Sequence, residues 1–377
     1  MNEIRGGAPA LVLGAALARS MAGLVVVVAL ALAAARCSSA PASEPRAPAP
    51  ALPSPAAAPA APASTAAAEG VATQIELHVE PLADLWLYLR MLAESRGREP
   101  VEPWLAEAVE PVAELGRALR AAGVGWHIVD TQLHFATTVA ELRRVFTEVR
   151  SLSAAHGGDP AVVRAIERTG ALLEVASPRF REELWREHER AIAAARERLG
   201  RDLLAVEDEA LGDVLRSLAM EDPGTTFHVY LTARGPFPEA VTYRAWGGVP
   251  VSFVGVLSDH HAGTLLSEIV LHESHHALEG ASEGPSHALA RLRARLAEAG
   301  ASASHRHTIP HNLMFIQAAE TVRRVLDPEH RDYGFESGYY ERAAPALEQR
   351  EIWLGHLRGE RTLDEALDEM AALASGP

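Results

Sequence analysis

The sequence IVLHESHHAL, residues 269–278, places His272, Glu273 and His276 at the spacing H-E-x-x-H inside an apolar run. Residues four apart on an α-helix lie on one face, about one turn from each other, so the two imidazoles can bind one metal ion. Glu273 is adjacent to His272 and can reach a water molecule on that metal, where a carboxylate acts as a general base. The spacing therefore predicts a helix that carries a zinc-dependent hydrolytic site. The alternative is a pair of helix histidines satisfied by ordinary hydrogen bonds.

The motif and its flanks resemble the zincin metallopeptidases, whose signature also has uncharged flanking residues and an apolar residue two positions after the second histidine. Ile269, Val270 and Leu278 fit this signature, and His275 is the one ionisable exception. The resemblance implies an α+β, predominantly helical fold in which a small β-sheet precedes the active-site helix and a Glu-bearing helix follows it. It also implies an edge strand that pairs with an extended peptide substrate.

A catalytic zinc site usually has three protein ligands and a water molecule, so a third donor is needed downstream. Metzincins continue as H-E-x-x-H-x-x-G-x-x-H, but this chain has Glu279 and Ser282 at the Gly and last His positions, which excludes that subfamily. Gluzincins take a Glu from a separate helix, and the apolar periodicity predicts such a helix over residues 310–325.

Glu320 is the candidate third zinc ligand on that helix. The run FIQAA, residues 315–319, precedes it and predicts a mostly buried surface, where a carboxylate is costly unless a cation meets it. The alternative is a salt bridge to Arg323 or Arg324 at helix spacing.

Three further residues are candidates for oxyanion or substrate contacts. His311 is nine residues before Glu320, about half a turn out of phase on an ideal helix, so it shares the site only from a frayed helix start. Tyr339 and Tyr340 follow the Glu320 helix, and zincins often use a Tyr or His donor against the oxyanion. The alternatives are an exposed loop histidine and ordinary aromatic packing.

Composition excludes several classes of function. The net charge is −15 and no basic cluster is present, which argues against a nucleic-acid partner. All 35 basic residues are Arg, so Schiff-base lysines, P-loop lysines and Ser-Lys dyads are excluded. Cys37 is the only cysteine, so the globular part has no cysteine nucleophile and no internal disulfide.

The N-terminal part predicts an exported protein. Residues 1–36 combine early arginines with an apolar run and are typical of an export signal. Cys37 suits a lipoprotein signal, although Arg36 departs from that pattern; cleavage at an Ala-x-Ala site or an uncleaved anchor are the alternatives. Residues 37–70 are almost wholly Ala, Pro and Ser and predict a disordered linker. The expected location is the periplasm or cell envelope, with a membrane tether through the N-terminus or a lipid anchor, or secretion.

The remaining chain divides at the turn near residue 222. Residues 71–222 are predicted as a helical subdomain, and residues 223–377 as a zincin-like catalytic subdomain. In the second part, strands are predicted at 226–232, 240–246 and 249–257, followed by the active-site helix at 263–279. The 249–257 segment is the candidate edge strand.

These observations predict a zinc metallopeptidase that cleaves peptide or protein substrates. Zn²⁺ is held by His272, His276 and Glu320, with Glu273 as the general base. The alternative function is a non-catalytic, tethered envelope protein with a helical binding surface, whose metal motif is structural or degenerate.

Overall fold

The architecture comes from a computed structural model that describes residues 70–95, 102–155, 159–235, 240–245, 248–258, 261–281, 286–343 and 345–375, without the side chains of 148–155. The predicted export signal, Cys37 and the linker up to residue 69 lie outside the described residues. Their predicted roles therefore stay predictions.

One mixed sheet of four strands lies within the described residues. The strands are β1 (Gln74–His78), β2 (Thr226–Thr232), β3 (Ala240–Arg244) and β4 (Pro250–Gly255). Their order is β1-β2-β4-β3, with β1, β2 and β4 parallel and β3 antiparallel to β4. The three strands predicted after residue 222 are confirmed.

Helices make up most of the described structure, which confirms a predominantly helical α+β fold. They are α1 (Pro81–Glu94), α2 (Pro103–Ala121), α3 (His127–Asp130), α4 (Val139–Ala155), α5 (Pro160–Glu183), α6 (Trp185–Asp202), α7 (Glu207–Ser217), α8 (Leu265–Ala281), α9 (Ala288–Glu298), α10 (Ala303–Val325), α11 (Tyr333–Glu336), α12 (Tyr339–Arg342), α13 (Ala346–Leu357) and α14 (Leu363–Ala372). Short 3₁₀ turns occupy Thr131–Phe135, Leu204–Val206 and Leu373–Ser375.

Helices cover both faces of the sheet. On one face, Tyr230 and Phe253 pack in a core with α1, α2 and α5. On the other face, Val229 and Val254 pack in a core with α6, α8 and α10. This alternation follows the two-residue period of a strand. A third core joins α7, α9, α10, α13 and α14 around the buried Trp353.

The two predicted subdomains share this sheet. β1 belongs to the part predicted as helical, yet it pairs in parallel with β2, which follows residue 222. The sequence analysis did not predict β1, because its five residues form a strand only by pairing with a segment about 150 residues away.

The prediction that residues 249–257 form the edge strand is wrong. β4, within the predicted 249–257 segment, lies between β2 and β3, and all six of its residues are buried. Its continuous Val and Phe content suits a strand that is covered on both faces. Within the described sheet, β1 and β3 are the edge strands, and β3 is the one that packs beside α8.

The predicted helix over the H-E-x-x-H segment is confirmed, but the Glu320 helix begins earlier than expected. α8 spans Leu265–Ala281, close to the predicted 263–279. Pro310 indicated a helix start because proline favours the first helical position. Instead, the Ser302 hydroxyl caps α10 by accepting the backbone N–H of His305, and Pro310 lies inside the helix. His311 is therefore a helical residue, not part of a frayed end.

No helix in the described part of the chain is both long and apolar enough to cross a bilayer.

Phe253→Ala tests the central position of β4. Phe253 is fully buried, so its truncation should lower the free energy of unfolding by about 3–5 kcal/mol. Val175→Ala is the control, because Val175 is 76% exposed and should change the value by less than about 0.5 kcal/mol. Urea unfolding followed by circular dichroism measures both. Equal, small effects would contradict a buried central β4.

Candidate metal centre

Three histidines from two helices converge at one point. His272 and His276 lie on α8, and His311 lies on α10. One ring nitrogen of each lies within 4.8 Å of the others. The ring centroids are 5.0 Å apart for His272 and His276, 4.9 Å for His272 and His311, and 5.3 Å for His276 and His311. We call these residues the three-histidine centre.

The local environment keeps these imidazoles neutral. Burial is the main cause that lowers the pKa of all three: His276 to about 3, His311 to about 4, and His272 well below its usual value. Neutral imidazole is the form that coordinates a metal. The buried Nδ1 of His272 has no hydrogen-bond partner among the described residues, an arrangement that is costly unless something else satisfies it. The donor set therefore fits a divalent transition metal.

A chain of hydrogen bonds orients His311. Its Nδ1 lies 3.4 Å from the Tyr339 hydroxyl, which donates to Oδ1 of Asn312 at 2.6 Å. The Asn312 amide donates to Gln349 at 2.6 Å, and Gln349 donates to the carbonyl of Ile309 at 3.0 Å. If Nδ1–H of His311 donates to Tyr339, Nε2 is left as the metal ligand. Such outer contacts usually fix the ring of a ligating histidine.

Glu273 is buried beside the edge strand. The Thr242 hydroxyl on β3 donates to Oε2 of Glu273 at 2.5 Å and also contacts the Ser252 hydroxyl on β4. Burial raises the pKa of Glu273 to about 7, although the Thr242 hydrogen bond lowers it. A carboxyl group with a pKa near neutrality can both accept and return a proton.

Other contacts fix α8 at both ends. Near its start, buried Glu268 accepts hydrogen bonds from Nε2 of His330 and from the backbone N–H of Tyr333, both at 2.7 Å. Near its end, Arg244 on β3 donates to the carbonyl of Ala277 at 2.8 Å. Gly280 permits this approach, because a Cβ there would lie 2.2 Å from the Arg244 guanidinium.

Glu320 does not join the three-histidine centre, contrary to its predicted role as third ligand. Its carboxylate forms an ion pair with Arg323 and lies 3.6 Å from Arg350. Both arginines also pair with Asp332. His311 and Glu320 are nine residues apart on one helix, which separates them by about 13.5 Å along its axis. The third donor near His272 and His276 is instead His311, which sequence reasoning considered only for a substrate contact.

The two candidate tyrosines differ. Tyr339 lies at the centre through its contact with His311, and burial raises the pKa of Tyr339 to about 12. Tyr340 is buried in the third core, where its ring packs against Phe335 and leaves no room for a side chain at Gly334. Aromatic packing therefore accounts for Tyr340.

Comparison of the chain with protein-family models, with curated proteins and with solved structures finds no match. The resemblance to zincins stays a prediction drawn from the H-E-x-x-H motif and its flanks.

Substitution of His311 and Glu320 distinguishes the two ligand sets. We expect His311→Ala to lose one equivalent of bound zinc, because it removes one of three donors. Glu320→Gln should keep that equivalent, because Glu320 contacts arginines. Zinc per chain, measured by elemental analysis after equilibrium dialysis, gives both values. Loss of zinc in Glu320→Gln with retention in His311→Ala would contradict the three-histidine centre.

Tyr339→Phe tests the orientation of His311. Removing the hydroxyl should weaken zinc binding by about 10- to 100-fold, the usual effect of an outer-shell partner. Tyr340→Phe is the matched control, since the Tyr340 hydroxyl has no hydrogen-bond partner among the described residues. Competition with a chromogenic chelator measures the affinities. Equal affinities for the two variants would show that Tyr339 does not position His311.

Proposed function

We propose that the protein is a zinc-dependent hydrolase of the peptidase class that uses the three-histidine centre and Glu273. The observation that carries this proposal is the convergence of His272, His276 and His311 on one point, with Glu273 adjacent to His272. Three neutral imidazoles suit zinc, and a fourth position left for water is typical of catalytic sites.

The protein groups have separate roles in this proposal. Bound zinc would supply Lewis acidity and lower the pKa of a water molecule. Glu273 takes the proton from the attacking water and returns it to the leaving amine. Thr242 holds the Glu273 carboxylate through its 2.5 Å hydrogen bond, which restricts the carboxylate to one orientation. Burial of Glu273 excludes competing solvent and strengthens this contact.

The sheet edge favours a peptide substrate. β3 is an edge strand within the described sheet, and the same strand supplies Thr242 to Glu273. An extended peptide can add to a free strand edge through backbone hydrogen bonds. A peptide paired to β3 would run beside α8, near the proposed general base. The edge strand expected from the zincin resemblance is therefore β3 in this proposal.

Glu273→Gln tests the proposed general base. We expect it to keep the zinc of the three-histidine centre and to lower kcat by about 100- to 10,000-fold, because an amide cannot accept the proton. The probes are fluorogenic peptide libraries and labelled casein, with zinc measured on the same samples.

Glu298→Gln is the control, because Glu298 is exposed on α9 and should change neither property. Full activity in Glu273→Gln would exclude Glu273 as the base. Zinc binding with no hydrolysis of any probe by the wild-type protein would favour the non-catalytic alternative.

A further inference from the structure

A second convergence of metal-binding side chains lies on the first two strands. Glu76 and His78 are on β1, and His228 is on β2. One ligand atom of each lies within 4.8 Å of the others. We call these three residues the β1–β2 group.

The strand register brings the three side chains together. Glu76 and His78 are two residues apart on a strand and therefore project from the same face. Glu76 pairs directly with His228 in the parallel register, and His78 pairs with Tyr230. The pairing of β1 with β2 therefore brings together residues that are 150 positions apart in the sequence.

The β1–β2 group and the three-histidine centre are on opposite faces of the sheet. Val229 packs in the core that contains α8, so the neighbouring His228 and Tyr230 project to the other face. Thr242 and its strand partner Ser252, which is paired with Val229, are on the α8 side with Glu273. The two groups therefore cannot share one ion.

The separations between ligand atoms suit a small divalent cation. Nε2 of His78 and Nδ1 of His228 share a hydrogen bond at 2.9 Å, which a metal ion would replace, and the Glu76 oxygens are 3.7 Å from Nε2 of His78 and 3.5 Å from Nδ1 of His228. Ligand atoms in a tetrahedral zinc site, with bonds of about 2.0–2.2 Å, are separated by about 3.3–3.6 Å. Small shifts of the three side chains would bring the observed separations to those of a tetrahedral zinc site.

Aromatic contacts restrict the two imidazoles. His78 stacks on Tyr230 with a centroid distance of 4.6 Å and an interplanar angle of 16°. The ring centroids of His134 and His228 are 4.7 Å apart, and Nδ1 of His134 forms a hydrogen bond with the Tyr230 hydroxyl at 3.0 Å. Rings held in this way lose little further freedom when they bind a metal.

We propose that Glu76, His78 and His228 form a second binding site for a divalent transition metal of the zinc class, which ties the edge strand β1 to β2. Two imidazoles and one carboxylate are a common zinc ligand set and leave one position for water. β1 is a five-residue edge strand, and an ion that joins it to β2 would stabilise the pairing. The Glu76 side chain is 57% exposed, so the ion can enter from solvent.

Isothermal titration with zinc chloride tests the site in a background that lacks the three-histidine centre. The His272→Ala, His276→Ala, His311→Ala chain should bind one zinc, and adding His78→Gln with His228→Gln should abolish that binding. Adding His356→Ala instead should leave it unchanged, because His356 belongs to neither group. If the triple variant binds no zinc, or the added glutamines do not alter its binding, the β1–β2 site is wrong.

The wild-type chain gives an independent measurement if the triple variant fails to fold. There, His78→Gln with His228→Gln should lower the zinc content from two equivalents to one, and should remove the zinc-dependent protection of β1 amides from hydrogen exchange. One equivalent of zinc in both the wild type and the His78→Gln, His228→Gln variant would overturn the second site and leave the three-histidine centre intact. One equivalent in wild type and none in the double variant would support the β1–β2 site and refute the other centre.

Discussion

The buried polar side chains of α8 are the constraint on which the rest of this structure depends. Glu268, His272 and Glu273 are almost fully buried on α8, as are the polar residues Ser267, Ser274 and His275. Each such group destabilises the fold unless a partner compensates for its lost water. Glu268 accepts hydrogen bonds from His330 and the Tyr333 backbone, and Glu273 accepts one from Thr242. The His311 ring packs against the His272 ring. The segments that pack on α8 are thus those that carry its partners.

α10 also has two chemically different faces, one towards α8 and one towards α13. His311 and Glu320 are nine residues apart, which is two and a half helical turns, so they project in opposite directions. The His311 face meets α8 at the three-histidine centre. The Glu320 face forms ion pairs with Arg323 and Arg350, which also bind Asp332 in the segment after α10. One helix therefore supplies a donor to the centre and connects α13 to the loop that fixes the start of α8.

The sequence predicted the parts of the site that depend on local spacing. H-E-x-x-H on a helix needs only the 3.6-residue period, and α8 carries it as expected. The burial of Glu320 was also foreseen, but a guanidinium meets the carboxylate where a metal was expected, and local sequence does not distinguish the two cations. The half-turn phase between His311 and Glu320 was correct, but it was read with Glu320 as the zinc ligand, so His311 was considered only for a substrate contact. The position of β1 in the sheet and the β1–β2 group depend on pairing across about 150 residues, which no local pattern encodes.

The most direct test of the three-histidine centre is anomalous diffraction at the zinc absorption edge from crystals grown with at least two equivalents of zinc, enough to fill both proposed sites. The centre predicts an anomalous peak about 2.0–2.1 Å from one ring nitrogen of each of His272, His276 and His311. A peak bound to Glu320, or none within bonding distance of His272 and His276, would contradict it.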